Sequence, residues 1–257
     1  MMLNYQNTCF EVMDADPDIA LLPIGSTERA GNHLPVGTST FILDALASRI
    51  AQDLSGNVYL LPTLPVGCSG LHLGQNGTIA LDWTTMVKVV SDLIESFLAQ
   101  GITKVAVLVG LGGANETTVR PRENYIVKTA VRQLNYDHRD LDAIWVQPFT
   151  VAGRELECVL ESSEQDVHAG ELATSLMMYL HPESVRKEGV DYVPDVGKEY
   201  LDFVAFEKLC PGGVWGLPSL ATAEKGRMAF EAAVECTVKY IEESFSHLER
   251  IKKRIEN

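Results

Sequence analysis

An α/β fold, with a mostly parallel sheet covered on both faces, is the class this sequence predicts. Three observations carry the prediction. Apolar runs of strand length recur along the chain, at 18–24, 57–61, 77–81, 104–109 and 143–149. Between most of them stand longer segments whose apolar residues return at helical spacing. Strands separated by helices are joined by crossovers, which makes the strands parallel and buries both faces of the sheet.

Taken in order, residues 18–24 (Asp-Ile-Ala-Leu-Leu-Pro-Ile) read as a buried strand. The helix predicted over 40–54 places Ile42, Leu43, Leu46, Ala47 and Ile50 on one face, and Thr38 or Ser39 can cap it. Short strands at 57–61 and 77–81 flank a glycine-rich loop. Residues 84–100 form an amphipathic helix closed by Gly101. The run 104–109 (Lys-Val-Ala-Val-Leu-Val) is the clearest core strand of the chain. Pro121 suits the first turn of a helix that reaches about Leu134. A strand at 143–149 follows, then helices at 169–180 and from Ala221 into the charged C-terminus. The polar stretch 184–198 reads as a surface excursion. With no internal repeat, low-complexity linker or composition break, residues 1–257 read as one domain.

A chain of 257 residues can bury a sizeable core. Its formal net charge of -14 repels phosphate backbones and excludes nucleic acid or an anionic membrane as a general partner. The longest apolar runs, such as 19–24, are far too short to span a bilayer. The start lacks a basic segment followed by a long apolar one, so no signal peptide is expected. Cys9, Cys68, Cys158, Cys210 and Cys236 are scattered, odd in number and free of CxxC pairing. Reduced thiols in a cytoplasmic protein are the expectation.

The loops at 25–39, at 67–78 and after Val109 each follow a predicted strand, and ligands of open parallel sheets sit at the carboxyl ends of strands. A small-molecule pocket is therefore expected there. Glu28 is either a general base in that pocket or a hydrated charge. His33, in His-Leu-Pro, either lines it or anchors the turn through its ring nitrogens. Ser69 and His72 are candidate polar wall groups. Cys68 is a nucleophile only if a base lowers its pKa, and otherwise a small buried filler. Arg120 and Arg122 flank Pro121, where a guanidinium could hold a carboxylate or phosphate or simply face water. His168 suits proton transfer near neutral pH or caps the helix after it. Glu171 contacts the ligand or favours the dipole of that helix. Trp215, beside Gly213 and Gly216, closes over a ligand or packs in the core.

Residues 24–40 (Ile-Gly-Ser-Thr-Glu-Arg-Ala-Gly-Asn-His-Leu-Pro-Val-Gly-Thr-Ser-Thr) resemble the signature loop of the creatininase (creatinine amidohydrolase) family, approximately PxGSTEQHGPHLPxGTDT. Four further stretches follow in the family's order. Residues 65–79 are similar to PxxyGxSxEHxxFPGTIS, with Ser69 and His72 matching and Gln75-Asn76 in place of Phe-Pro. Residues 104–113 are similar to xxxVNGHGGN, residues 166–175 to a segment containing HAGExETS, and 213–226 to GvxGdP and ATaEkG. The resemblance implies a three-layer α/β sandwich. It also implies a homo-oligomer, a hexamer or a smaller dimer-based assembly.

Family members use two metal ions to polarise a carbonyl and generate hydroxide. Glu28 matches one glutamate ligand, but the other ligand positions fall on Ala30, Ser39, Leu111 and, near creatininase's own glutamate, Gly113. Alanine and leucine carry no lone pair, and a serine hydroxyl is a poor ligand for zinc or manganese. The two-metal centre is therefore expected to be absent, with no metal and no other cofactor. His168 matches the family's catalytic histidine. The implied activity is a hydrolase or acid/base lyase of a small polar or cyclic carbonyl compound (amide, lactone or keto-sugar), with Glu28 and His168 catalytic and His33, Ser69, His72, Arg120, Glu171 and Trp215 around the ligand. The alternatives are a non-catalytic binder or scaffold subunit, and a metal-dependent amidohydrolase with relocated ligands among His33, His72 and His168.

Overall fold

The computed structural model describes residues 1–111, 122–187 and 189–255. The described elements run β1 (Met2–Asn4), α1 (Cys9–Ala15), β2 (Ile19–Ile24), α2 (Thr38–Asp53), β3 (Val58–Leu60), α3 (Trp83–Leu98), β4 (Lys104–Val109), α4 (Arg122–Asp137), β5 (Asp142–Val146), α5 (Pro148–Val151), α6 (Gly153–Val159), α7 (Glu171–Leu180), α8 (Phe206–Leu209) and α9 (Ala223–Ile255). The strands form one sheet in the order β1-β3-β2-β4-β5, with every pairing parallel.

Alternation along the central strands builds the layers, because successive side chains point to opposite faces. Leu21, Ala106, Leu108 and Val146 face a core shared with α2, α5, α7 and α9. Ala20, Leu22, Ile24, Val105, Val107 and Val109 face the other core, made with α3 and α4. The result is the three-layer sandwich that the sequence predicts. No described helix is long and apolar enough to cross a membrane.

Three differences from the sequence reading have physical causes. Residues 77–81 are not a strand. Gly77 has φ 87°, and only isolated bridges join Ile79 to Thr27 and Ala80 to Gly67, so the segment straps loops together outside the sheet. The strand expected to reach Phe149 stops at Val146, because Pro148 stands in the first turn of α5 and carries no N–H for a ladder. Helix α1 was not anticipated. It starts on a reciprocal capping box between Thr8 and Glu11, a signal that the sequence does contain.

Candidate active site

Loop 25–37 leaves the carboxyl end of β2 and is held on three sides. Glu28 N–H donates to the Val36 carbonyl at 2.8 Å, Arg29 N–H to Thr78 Oγ1 at 3.1 Å, and Gly31 N–H to the Gly213 carbonyl at 2.9 Å. Thr40 Oγ1, from the first turns of α2, donates to the Ser26 carbonyl at 2.8 Å. These bonds place the half-buried Glu28 at a narrow cleft whose walls include Ala30, Ser39, Leu111, Asp166, His168 and Leu172. The cleft lies beyond the ends of β2 and β4, where a parallel sheet places its ligands.

His168 is fixed from two directions. Its backbone pairs with Trp215 through bonds of 3.0 and 2.9 Å. Its ring Nε2 lies 2.7 Å from the Arg29 carbonyl oxygen. A carbonyl only accepts, so Nε2 carries a proton, and in the neutral ring Nδ1 is the nitrogen with the lone pair. The His72 ring stacks on His168 with centroids 4.4 Å apart and planes 29° apart, and Phe206 packs on both rings. Burial, and then the neighbouring His168, push the His72 pKa down to about 4 against the attraction of Glu28. His72 is thus a neutral imidazole beside the pocket. Ser69, 2% exposed, has no hydrogen-bond partner for its hydroxyl among the described residues.

The other sequence candidates lie as follows. His33 is buried and its Nε2 is 2.9 Å from Thr174 Oγ1, so it ties the signature loop to α7; burial and the nearby His168 lower its pKa to about 4. Glu171 has no exposed surface. Its carboxylate accepts from Glu161 N–H, Ser162 N–H and Ser162 Oγ and pairs with Lys225, which corrects the expectation of a ligand contact. Trp215 is 2% exposed and packs with Leu201, Phe206 and Cys210. It is a core residue whose backbone positions His168, not a lid, because its indole is enclosed by that cluster. Cys68 is buried and lines a smaller void beneath the cleft. Arg120, with Gly112 and Gly113, lies outside the described residues.

Asp166 was not singled out by sequence reasoning. It is 5% exposed, lines the cleft, and accepts from Leu172 N–H, in the first turn of α7, at 2.6 Å. Burial pushes its pKa up to about 7; the Leu172 N–H and Lys198 oppose the rise, and Glu171 adds to it. Its only sequence signal is its place just before His168 and the helix, where a carboxylate can satisfy free N–H groups.

The donor set decides what metal chemistry fits. Ala30, Ser39 and Leu111 stand in the cleft wall beside Glu28, and Ser39 Oγ already accepts from Leu111 N–H at 3.2 Å. Two ions need several carboxylate and imidazole ligands, so these residues do not fit a two-metal centre. Glu28, His72 and His168 do bring one ligand atom each within 4.8 Å of one another. A shared ion would sit in the plane of both rings, about 2 Å from each nitrogen. Rings stacked face to face keep their planes apart at that distance, so binding an ion requires one imidazole to turn.

A three-layer α/β protein with a carboxylate and imidazoles gathered at strand ends is the class that fold and pocket define. The chain belongs to the creatininase family, whose model, described as creatinine amidohydrolase, matches residues 5–241. It is 28% identical over 237 residues to the mycofactocin precursor peptide peptidase of Mycobacterium ulcerans, covering 86% of this chain and 83% of that one. It is 25% identical over 240 residues to the creatinine amidohydrolase of Pseudomonas putida, covering 88% and 90%. It is 24% identical over 252 residues to the 3-dehydro-scyllo-inosose hydrolase of Thermotoga maritima, covering 87% and 76%. Among solved structures, one titled creatininase Mn superposes with a TM-score of 0.76 at 20% identity, covering 95% of this chain and 99% of that one. A crystal structure of creatinine amidohydrolase (creatininase) superposes with a TM-score of 0.74 at 22% identity, covering 94% and 97%.

Proposed function

We propose that this protein is a creatininase-family hydrolase that opens a small polar or cyclic carbonyl compound by acid/base chemistry on Glu28 and His168, without the family's two-metal centre. One observation carries the reading. The two side chains meet at a single cleft, and the Arg29 carbonyl holds the His168 ring so that its Nδ1 lone pair is the free one. In this reading Glu28 takes a proton from water as its oxygen adds to the carbonyl carbon. The free Nδ1 of His168 accepts that proton from Glu28 and gives it to the leaving nitrogen or oxygen as the bond breaks, which returns both groups to their starting state. The relatives are by name a peptidase, an amidohydrolase and a hydrolase, which favours hydrolysis over a lyase reaction. The stacked rings and the apolar Ala30 and Leu111 favour chemistry without a resident ion.

A thermal-shift screen of small cyclic amides, lactones and keto-sugars finds the ligand, since binding to the native state raises its stability. On that ligand, Glu28→Gln and His168→Ala are each expected to lower turnover by about 100- to 10,000-fold, and chelator is expected to leave the wild type unchanged. Full activity in both variants refutes the pair. Binding without turnover supports a non-catalytic binder instead. Chelator-sensitive turnover supports a second reading, a single ion on Glu28, His72 and His168, which their proximity favours. A homo-oligomer is part of the same proposal, supported by the exposed Leu73, Ile79, Trp83 and Phe203. So is a cytoplasmic setting, supported by five cysteines none of which forms a disulfide among the described residues.

A further inference from the structure

The geometry points to Asp166 as the residue that selects the ligand, through a hydrogen-bond donor, an amide N–H or a hydroxyl, carried next to the reacting carbonyl. This inference rests on the carbonyl-compound reading of the cleft and names what that cleft selects.

The carboxyl is nine-tenths buried and yet part of the cleft wall. Its Oδ2 is taken by the Leu172 N–H at 2.6 Å. Among the described residues no hydrogen bond reaches Oδ1. The backbone around that oxygen is cut back to admit it. A Cβ at Gly170 would overlap Asp166 Oδ1, and one at Gly216 would stand 3.0 Å from it. Gly216 also has φ 154°, so its position resists a side chain on two counts.

A residue needed only to cap α7 has no use for a second oxygen. Asparagine, serine or threonine would accept the Leu172 N–H at lower desolvation cost. Oδ1 is not among the fully buried atoms that lack a partner, so it keeps exposed surface that a ligand donor can reach, and polar groups left open in this way persist at functional sites. Ala30, Val36, Leu111, Leu172 and Ala173 in the same wall offer no side-chain acceptor, and its two hydroxyls are already engaged, Thr38 Oγ1 with the Pro35 carbonyl and Ser39 Oγ with Leu111 N–H. Above its raised pKa of about 7 the ionised Asp166 therefore offers a strong acceptor to a ligand N–H or O–H beside the carbonyl while Glu28 and His168 face the carbonyl, so the probes are compared above that pH. A site built to pair a donor discriminates against the analogue that lacks it, because its own buried group is then left unpaired.

The test uses matched probes on the full chain. Succinimide is compared with N-methylsuccinimide for an N–H donor, and 2-hydroxycyclohexanone with 2-methoxycyclohexanone for an O–H donor. In the wild type one donor-bearing probe is expected to bind about 10- to 100-fold tighter than its methylated partner, and the arm that discriminates identifies the donor. Asp166→Asn turns an amide NH₂ toward the cleft and is expected to abolish the preference. Glu28→Gln is expected to keep it while losing turnover. Equal binding of both members of each pair, or discrimination that survives in Asp166→Asn, overturns the assignment. The ligand-free unfolding midpoint gives an independent reading. A midpoint for Asp166→Asn equal to or above the wild type supports a ligand role, and a fall of several degrees overturns it in favour of a structural cap. If no probe binds the wild type, the carbonyl reading of the cleft falls, and the Asp166 assignment is decided by the midpoint alone.

Discussion

Replacing Glu171 by glutamine separates service to the ligand from service to the fold. Both carboxylate oxygens are engaged: Oε1 by Glu161 N–H at 3.1 Å and by Lys225, Oε2 by Ser162 N–H at 2.8 Å and Ser162 Oγ at 2.7 Å. Glutamine keeps the shape, but its NH₂ must face donors wherever it is placed, and the charge opposite Lys225 is gone. Breaking a buried ion pair from one side costs about 3–5 kcal/mol. Lys225 keeps 16% of its side chain in water and also bonds Glu161, so about 3 kcal/mol is the expected loss. At roughly 2–4 °C per kcal/mol for a chain of this length, Tm should fall by about 6–12 °C. The pH dependence adds a sign. Burial pushes the Glu171 carboxyl up, but Lys225, the Ser162 hydroxyl and the two backbone N–H groups outweigh it and hold it below its ordinary 4.5. A carboxyl whose folded pKa is lowered contributes stability that is present above its unfolded pKa and lost as pH falls through the folded value. The Tm gap between wild type and variant should therefore be widest near neutral pH and close below pH 4.5. Scanning calorimetry from about pH 3 to 8, with ligand affinity measured well below Tm, checks both parts. A Tm within about 2 °C of wild type, or a loss of affinity at unchanged stability, refutes the structural role.

Gly226→Ala opposes two effects of known direction. Helix propensity favours alanine inside α9 by about 1 kcal/mol, but a Cβ there would overlap the Ser175 carbonyl where α7 crosses α9. The urea midpoint should drop by the equivalent of about 1–3 kcal/mol, and a rise would show that the helices separate at no cost. His33→Gln tests a buried neutral imidazole. Its pKa falls from 6.5 to about 4 on folding, so its contribution is complete above pH 6.5 and declines toward pH 4, and the variant should flatten the wild-type stability profile across that window. Light scattering at micromolar concentration should report an assembly larger than the monomer; a monomer throughout rejects the oligomer.

Much of the fold was legible because burial on both faces leaves an unbroken apolar run. The predicted strand 104–109 coincides with β4, and 18–24 contains β2. Helix α2 was legible from Ile42, Leu43, Leu46, Ala47 and Ile50, all of which are buried. Residues 77–81 misled because two bridges and a strand look alike over five residues. The meeting of Glu28, His72 and His168 was partly legible, since loops after parallel strands share one end of the sheet. What was not legible is the partner of each charge. Glu171 and Lys225 are 54 positions apart, and only the packing of α7 on α9 joins them. Asp166 is one acidic residue among many until Gly170 and Gly216 are seen to make room for it.

On the proposed metal-free reading the cleft is consistent as a physical object. Removing ions from a wall of carboxylates and imidazoles would leave like charges facing one another in a low-dielectric pocket, a costly arrangement. Here Ala30 and Leu111 carry no charge, and Ser39 Oγ accepts from Leu111 N–H, so that part of the wall satisfies itself. The polarity that remains sits elsewhere along the rim. Glu28 faces a stacked pair of imidazoles, one of them neutral, and Asp166 is held by the first turn of a helix. Under that reading, apolar surface next to two carboxyl groups and a histidine held by the Arg29 carbonyl would suit an uncharged ring that bears both a carbonyl and a hydrogen-bond donor. It does not suit a phosphorylated or carboxylated compound, which the carboxyl groups would repel. Inorganic phosphate and acetate should therefore fail to raise Tm at millimolar concentration, and a clear shift from either would bring a cation such as Lys198 or Arg120 to the ligand.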